Sequence, residues 1–360
     1  MTNSKPFPIQ FKSVHSADYL RVYQHLRPRA SHFQCVLRLR SNLISSFHEF
    51  FQRQEFYYTN PPIITRSDAE GAGESFAVSG IDKDFFGLGK DPRLTVSSQL
   101  HLEALMHGLG RVWTLSPTFR AEKSETSRHL AEFWMLEAEW MENDLEGIMS
   151  LVEYMIRYVV ERCQGSVKDL IVEMDKQDNT IPVEEIPQRW EKLRRPNWQR
   201  MTYKKAIEHL VQEHKKNPFK IPPEDGSPLA SAHEQFLASQ SPTPIFITHY
   251  PSKFKPFYML KTKDGVDTVD NFDLLMPGMG EIAGGSLRVH DIHELEKAME
   301  EQGMNMEDYR WYIELRKWGS VPHGGFGLGL DRLIAYLAGV TNVKEVVAFP
   351  RMFSKSGCLN

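Results

Sequence analysis

Between Ser31 and Gln54, apolar side chains return at helical spacing. Phe33, Val36, Leu37, Ile44, Phe47 and Phe51 form the stripe, with Arg and Ser between them, and this predicts an amphipathic helix. Phe56 to Thr59 is a β-rich run closed by Asn60-Pro61-Pro62, and a proline pair confines such a strand to an edge or an interface. Residues 66–76 form a small-residue loop carrying carboxylates. Arg111 to Met141 predicts two strands around a charged turn from Ala121 to Arg128. Residues 146–163 carry the clearest helical stripe, through Ile148, Val152, Met155, Ile156 and Val159.

Residues 164–243 differ in character. They are rich in Lys, Glu, Gln and Pro with weak periodicity, and they suggest an inserted subdomain. Further strands are expected at 244–248, 257–259 and 272–275, and a helix from Ile292 to Gln302. The glycine-rich run Gly324–Gly329 leads into a last helix, Asp331 to Ala338. The expected organisation is a lead-in (1–25), a first core part (26–163), an insertion (164–243) and a second core part (244–360). Strands outweigh helices in a way that predicts an α+β protein, an antiparallel sheet flanked by helices, rather than a βαβ stack.

Composition narrows the classes. The chain has 360 residues, is 41% hydrophobic and carries 43 basic against 47 acidic side chains, a net charge of −4. Disorder, collagen and disulfide-scaffold classes are excluded on these figures. No run approaches the ~18 apolar residues of a membrane span. Cys35, Cys163 and Cys358 are few, far apart and without metal-ligand spacing, which favours a reducing compartment. The balance of charge means that any nucleic-acid contact is local. Met1 to about Asp18 lacks the apolar core of a signal peptide and is short of Arg for a mitochondrial presequence, leaving cytoplasm or mitochondrial matrix as the expectation.

Three segments carry chemistry. Thr118-Phe119-Arg120-Ala121-Glu122, leading to Arg128-His129 and Phe133, sets an arginine at a strand end beside a charged loop. Such a fork clamps a phosphate or carboxylate; a solvated hairpin of exchangeable ion pairs is the other reading. Asp273 and Glu281, followed by Gly284-Gly285 and Arg288, suit a Mg²⁺ that bridges phosphates, with Glu281 as a plain turn residue the alternative. His323-Gly324-Gly325-Phe326-Gly327-Leu328-Gly329 bares one strand face for a flat ring, and Asp331-Arg332 opens the next helix. A Rossmann fingerprint is excluded, because no βαβ unit follows. His101 with His107, or His290 with His293, lacks the spacing of a helical zinc site.

Together these segments resemble the motifs of the class II aminoacyl-tRNA synthetases, and within them the catalytic core of bacterial or mitochondrial asparaginyl enzymes. The likeness runs from about His25 to Arg351, through Glu70-Gly-Ala-Gly-Glu-Ser-Phe, Leu94-Thr-Val-Ser-Ser-Gln-Leu, Thr118-Phe-Arg-Ala-Glu, Arg128-His-Leu-Ala-Glu-Phe-Trp-Met-Leu-Glu137 and Pro322-His-Gly-Gly-Phe-Gly-Leu-Gly. It implies that helix 35–55 and the strand ending at Pro62 form a homodimer interface. Arg120 would bridge the ATP α-phosphate and the amino-acid carboxylate, Glu122 would read the adenine amino group and Phe133 would stack on the ring. Arg332 would hold the γ-phosphate, with Arg128, His129, Glu281 and Gly329 completing the ATP site. Glu70 would hold the substrate ammonium with Gln99 nearby; Glu137 belongs to the same amino-acid site, and Arg288 would face the substrate side chain. Asp273 and Glu281 would carry Mg²⁺.

The implied activity is ATP-dependent activation of asparagine and its transfer to tRNA, releasing AMP and pyrophosphate. The alternative is a tRNA-independent amide ligase, using an aspartyl adenylate with ammonia or joining an activated amino acid to a small amine. Asparagine is favoured over aspartate because similar aspartyl enzymes place a Lys where this chain has Leu102. Asp331 in place of the asparaginyl Glu, and Arg288-Val289-His290-Asp291, lean towards aspartyl relatives. The tRNA acceptor end is an expected partner, and no segment corresponds to the family's N-terminal anticodon-binding OB-fold.

Overall fold

The computed structural model describes residues 7–9, 15–66, 75–79, 85, 92–175 and 180–353. It opens with α1 (Ala17–Val22), α2 (Ser31–Arg53), β1 (Tyr57–Tyr58), β2 (Ile64–Thr65) and β3 (Arg93–Leu94). Next come α3 (Gln99–Leu109), β4 (Arg111–Phe119), β5 (Glu132–Trp140) and α4 (Leu145–Arg162). Then follow α5 (Ser166–Met174), α6 (Glu185–Arg194), β6 (Gln199–Thr202), α7 (Tyr203–His214), α8 (Ser231–Gln240) and β7 (Ile245–Thr248). The chain closes with β8 (Asn271–Met276), β9 (Gly280–Leu287), α9 (Ile292–Glu301), α10 (Arg310–Lys317), β10 (Gly324–Gly329) and α11 (Leu330–Ala338).

Eight strands form one sheet in the order β1-β4-β5-β10-β9-β8-β7-β6. The six inner strands are antiparallel, as expected, but both edge strands, β1 on β4 and β6 on β7, run parallel to their neighbours. The sheet is therefore mixed. Period-2 alternation divides its faces. Leu136 and Ala138 of β5, Phe326 and Leu328 of β10, and Phe272 and Leu274 of β8 point into the main core. There they meet Phe47 and Phe51 of α2, Ile148 and Val152 of α4, and Leu333 and Leu337 of α11. Phe51 stacks on Trp113 with ring centroids 4.4 Å apart. The residues between them, Met135, Glu137 and Glu139, Gly327 and Gly329, and Asp273, face away from those helices.

Residues 164–243 are woven into this frame. Leu170 and Met174 of α5 and Ile186, Trp190 and Leu193 of α6 are buried in the main core. β6 extends the sheet, and α7 and α8 build a second core against β7 from Tyr203, Leu210, Leu237, Ile245 and Ile247. The weak periodicity follows from short elements broken by prolines (196, 218, 222, 223 and 228) and by Asn197 at φ 61°. Glu153 of α4 ties the segment down: buried, it accepts the backbone N–H of Asn197 at 2.8 Å and of Trp198 at 3.2 Å, and pairs with Arg200 at 3.3 Å. Glu153→Ala is expected to cost about 2 kcal/mol, because those amides lose their acceptor inside the protein. Urea unfolding of the two chains checks it; an unchanged midpoint counts against this anchor.

One expected strand is not formed. Residues 257–259 make only a single bridge, Met259 to Arg288. Pro256 precedes them, and Phe257 and Tyr258 bury their rings among Val289, Leu295, Tyr309 and Tyr312 instead of joining the sheet. Cys35 and Cys163 are buried free thiols. Among the described residues no helix is long and apolar enough to cross a membrane.

Candidate active site

The face of the sheet turned away from α2, α4 and α11 holds two adjoining cavities. The first is lined by Arg120, Glu122, Arg128, His129, Phe133, Glu281, Gly329 and Arg332. The second is lined by Gln99, Arg120, Glu137, Asp273, Glu281 and Arg288, with Gly284 and Gly285. Arg120, Met135, Glu281 and Gly327 line both. The residues expected to hold nucleotide and those expected to hold amino acid thus sort into neighbouring spaces, and Arg120 stands at the junction. Glu70 lies outside the described residues.

In the first cavity, Arg120 follows the last residue of β4, with its guanidinium carbon 5.5 Å from the ring centre of Phe133 on the paired strand. Gly327 and Gly329 leave the floor open; a Cβ on Gly327 would sit 3.1 Å from Met135 Sδ. Arg332, in the first turn of α11, donates to the Glu281 carbonyl at 2.7 Å. Its neighbour Asp331 faces the scaffold, accepting from the Trp134 amide at 2.9 Å and pairing with Arg40 of α2. His129 Nε2 lies 3.7 Å from Glu122 Oε2; burial and then Arg332 push its pKa down. Arg128 reaches outward to the Met279 carbonyl at 3.0 Å, Ser231 Oγ at 2.6 Å and Glu234 at 3.4 Å.

In the second cavity, Glu137 accepts from Ser97 Oγ at 2.5 Å and from the Ser98 amide at 2.9 Å, bonds that oppose the upward push of burial on its pKa. Arg288 is buried and bidentate to Glu139, Nε and Nη2 each at 3.0 Å, with Nη1 on Ser286 Oγ at 2.6 Å. Gln99 lines the cavity and donates Nε2 to Glu103 at 3.0 Å. Leu102 does not line it. Contrary to expectation, that residue packs with Met106 and Val112, away from the substrate side: α3 turns Gln99 to the cavity, with Glu103 behind. His101 stacks on Trp311, and His107 is held by the Glu103 carbonyl and Ser320, both structural roles.

Asp273 and Glu281 converge over Gly284. A Cβ there would sit 3.2 Å from Glu281 Oε1 and 3.5 Å from Asp273 Oδ1, so only glycine leaves that space clear. Burial and Glu281 push the Asp273 carboxyl up, while Lys255, at 2.8 Å, pulls it back. Two hard oxygen donors facing one space, with negative charge to relieve, fit a divalent cation.

Three charged neighbours of this site carry no motif in the sequence: Lys255, Glu234 and Glu139. Only Glu139 had a readable signal, since it lies two residues beyond Glu137 on the same strand face. Glu234 of α8 is pushed up to about 7, first by burial and then by Glu281. The folded protein therefore holds this proton up to about pH 7, the unfolded chain only to 4.5. Its stabilising contribution is present in full below pH 4.5 and is lost as pH rises through 7. Glu234→Gln is expected to melt above the native chain at pH 8 and not at pH 4. Thermal melts across that range check it, and parallel curves would contradict it.

A sequence profile described as tRNA synthetases class II (D, K and N) matches residues 16–353. The mitochondrial asparagine–tRNA ligase of Saccharomyces cerevisiae is 43% identical over 98% of this chain and 75% of its own length. The asparagine–tRNA ligase of Desulfitobacterium hafniense is 43% identical over 97% of this chain and 76% of its own. Among crystal structures, asparaginyl-tRNA synthetase from Pyrococcus horikoshii complexed with asparaginyl-adenylate superposes with a TM-score of 0.84 at 34% identity, over 96% of this chain and 75% of that one. With the family profile spanning nearly the whole chain and such relatives sharing its fold, the chain belongs to the class II tRNA synthetases of the D, K and N group, alongside the asparagine–tRNA ligases.

Proposed function

We propose that this chain activates asparagine with ATP to asparaginyl-adenylate, releasing pyrophosphate, and passes the asparaginyl group to tRNA with release of AMP. The observation that carries the proposal is the pair of adjoining cavities with Arg120 lining both. In the first step an α-carboxylate oxygen of asparagine attacks the α-phosphorus, and the bond to the pyrophosphate oxygen breaks. No protein nucleophile is needed; the chain positions the reactants and sets cations where charge develops.

Arg120 would touch both reactants, its planar fork matching the carboxylate and the α-phosphate. Arg332 would hold the γ-phosphate, and Glu122 the adenine amino group, with Phe133 on the ring. Arg128, His129 and Gly329 complete the nucleotide cavity. Gln99, Glu137 and Arg288 would hold the amino acid, together with Glu70. Asp273 and Glu281 would hold Mg²⁺, which when bound offsets the charge of the phosphates. α2 and the segment from β1 to Pro62 would form a homodimer interface. In support, β1 is a sheet edge, and Tyr57 and Tyr58 are 59% and 44% exposed.

The test is amino-acid-dependent ATP–pyrophosphate exchange with asparagine and aspartate in parallel. Exchange with asparagine is the expected result, with charging of tRNA next. Exchange with aspartate alone, or with neither, would overturn the reading.

A further inference from the structure

We infer that Glu103, which does not touch the amino-acid cavity, sets its preference for an uncharged side chain by supplying negative charge behind Arg288 and by orienting Gln99. The inference rests on the asparagine reading above. Glu103 is wholly buried and collects four donors. Tyr312 OH lies at 2.7 Å, Arg316 Nη2 at 2.5 Å, His323 Nε2 at 3.0 Å and Gln99 Nε2 at 3.0 Å. A carboxylate can only accept, so Gln99 is obliged to turn its amide nitrogen inward, leaving its carbonyl oxygen and second N–H for the cavity it lines.

The charges behind the cavity are closely matched. Two arginines, Arg288 and Arg316, meet two carboxylates, Glu139 and Glu103, with the His323 ring beside Glu103, and all five are buried. Ligand atoms of Glu103, Glu139 and His323 lie within 4.8 Å of one another. A cation is not what the cluster lacks, because Arg316 already holds Glu103 and Arg288 holds both oxygens of Glu139. Burial alone would push the Glu103 carboxyl up, but Arg316 and His323 hold it below the usual carboxylate range. With Glu139 taking up the Arg288 charge and Glu103 that of the layer behind, the cavity offers hydrogen bonds without a surplus positive field. An amide is accepted on those terms. A carboxylate, stripped of water, finds nothing to replace its lost solvation.

Opposite substitutions therefore have opposite effects. Glu103→Gln keeps the shape and removes a negative charge, leaving Arg288 and Arg316 facing Glu139 alone. Arg316→Gln removes a positive charge from the same cluster. The readout is the ratio of the inhibition constant of aspartate to the KM of asparagine, in asparagine-dependent ATP–pyrophosphate exchange with Mg²⁺ present. Glu103→Gln is expected to lower that ratio about tenfold, and Arg316→Gln to raise it by a similar factor, with the KM of ATP unchanged in both. Glu103→Asp, which retains the charge, is expected to keep the native ratio. If one variant does not fold, the other still carries a signed expectation. A ratio that stays put in folded variants, or moves the same way in both, would overturn the inference. Absence of asparagine exchange in the native enzyme would instead overturn the functional reading, and it is seen before any variant is made.

Discussion

Arg120→Ala is expected to slow asparagine-dependent ATP–pyrophosphate exchange by about a hundred- to a thousandfold, the usual effect of removing one preorganised donor from a developing charge. Arg120 lines both cavities at the end of β4, where the attacking carboxylate and the α-phosphate would meet. Both carry negative charge, and their mutual repulsion has to be offset as they approach. A guanidinium does this with two parallel donors in a rigid plane; an ammonium supplies charge without the plane. Arg120→Lys is therefore expected to fall between the native enzyme and the alanine variant. Stability is expected to change far less than activity, since the Arg120 side chain is half-buried and not part of the core. Single-turnover formation of adenylate, measured beside a denaturation curve, checks both halves. An alanine variant within about threefold of native activity would contradict the role.

The second large effect is expected at Glu139. Glu139→Ala leaves Arg288, buried and hydrogen-bonded through Nε and Nη2, without its counter-charge. Breaking such a pair from one side costs about 3–5 kcal/mol, because the remaining ion stays out of water with nothing to replace its partner. Loss of Glu139 also frees Arg288 to move, so asparagine binding is expected to weaken by at least about tenfold. Neither residue lines the first cavity, the one proposed for the nucleotide, and ATP binding by folded variant protein is expected to persist. Urea unfolding and calorimetric titration with each substrate separate these effects. Equal loss of ATP and asparagine affinity would mean that Glu139 supports the whole sheet rather than the amino-acid side alone.

The helices α2 and α4, the β4–β5 hairpin and the glycine strand β10 could be read from spacing, because each is long enough for its period to repeat. The segment 164–243 could not. Its helices are short, prolines fall between them, and their stripes, such as Ile186, Trp190 and Leu193 of α6 and Tyr203, Ile207 and Leu210 of α7, repeat too few times to stand out among the polar residues around them. Residues 257–259 misled for a related reason: three aromatic and apolar side chains suit a strand, yet their rings found a better-packed place beside Tyr309 and Tyr312. At the site, Arg120, Glu122, Arg332, Asp273 and Glu281 stood out by residue type and neighbours. Glu234 and Lys255 did not, since nothing near them in the chain marks a carboxylate or an amine that folding brings beside Asp273 and Glu281.

The sequence by itself determined the local periods, the residues able to clamp phosphate and carboxylate, and the family likeness those residues express. Tertiary structure alone decided which charges meet. Arg288 finds Glu139, Arg316 and His323 find Glu103, and Asp331 finds Arg40, across separations of 149 to 291 residues. A period records only which face a side chain takes. The partner on that face is set by strand order and register, which depend on the packing of the whole sheet.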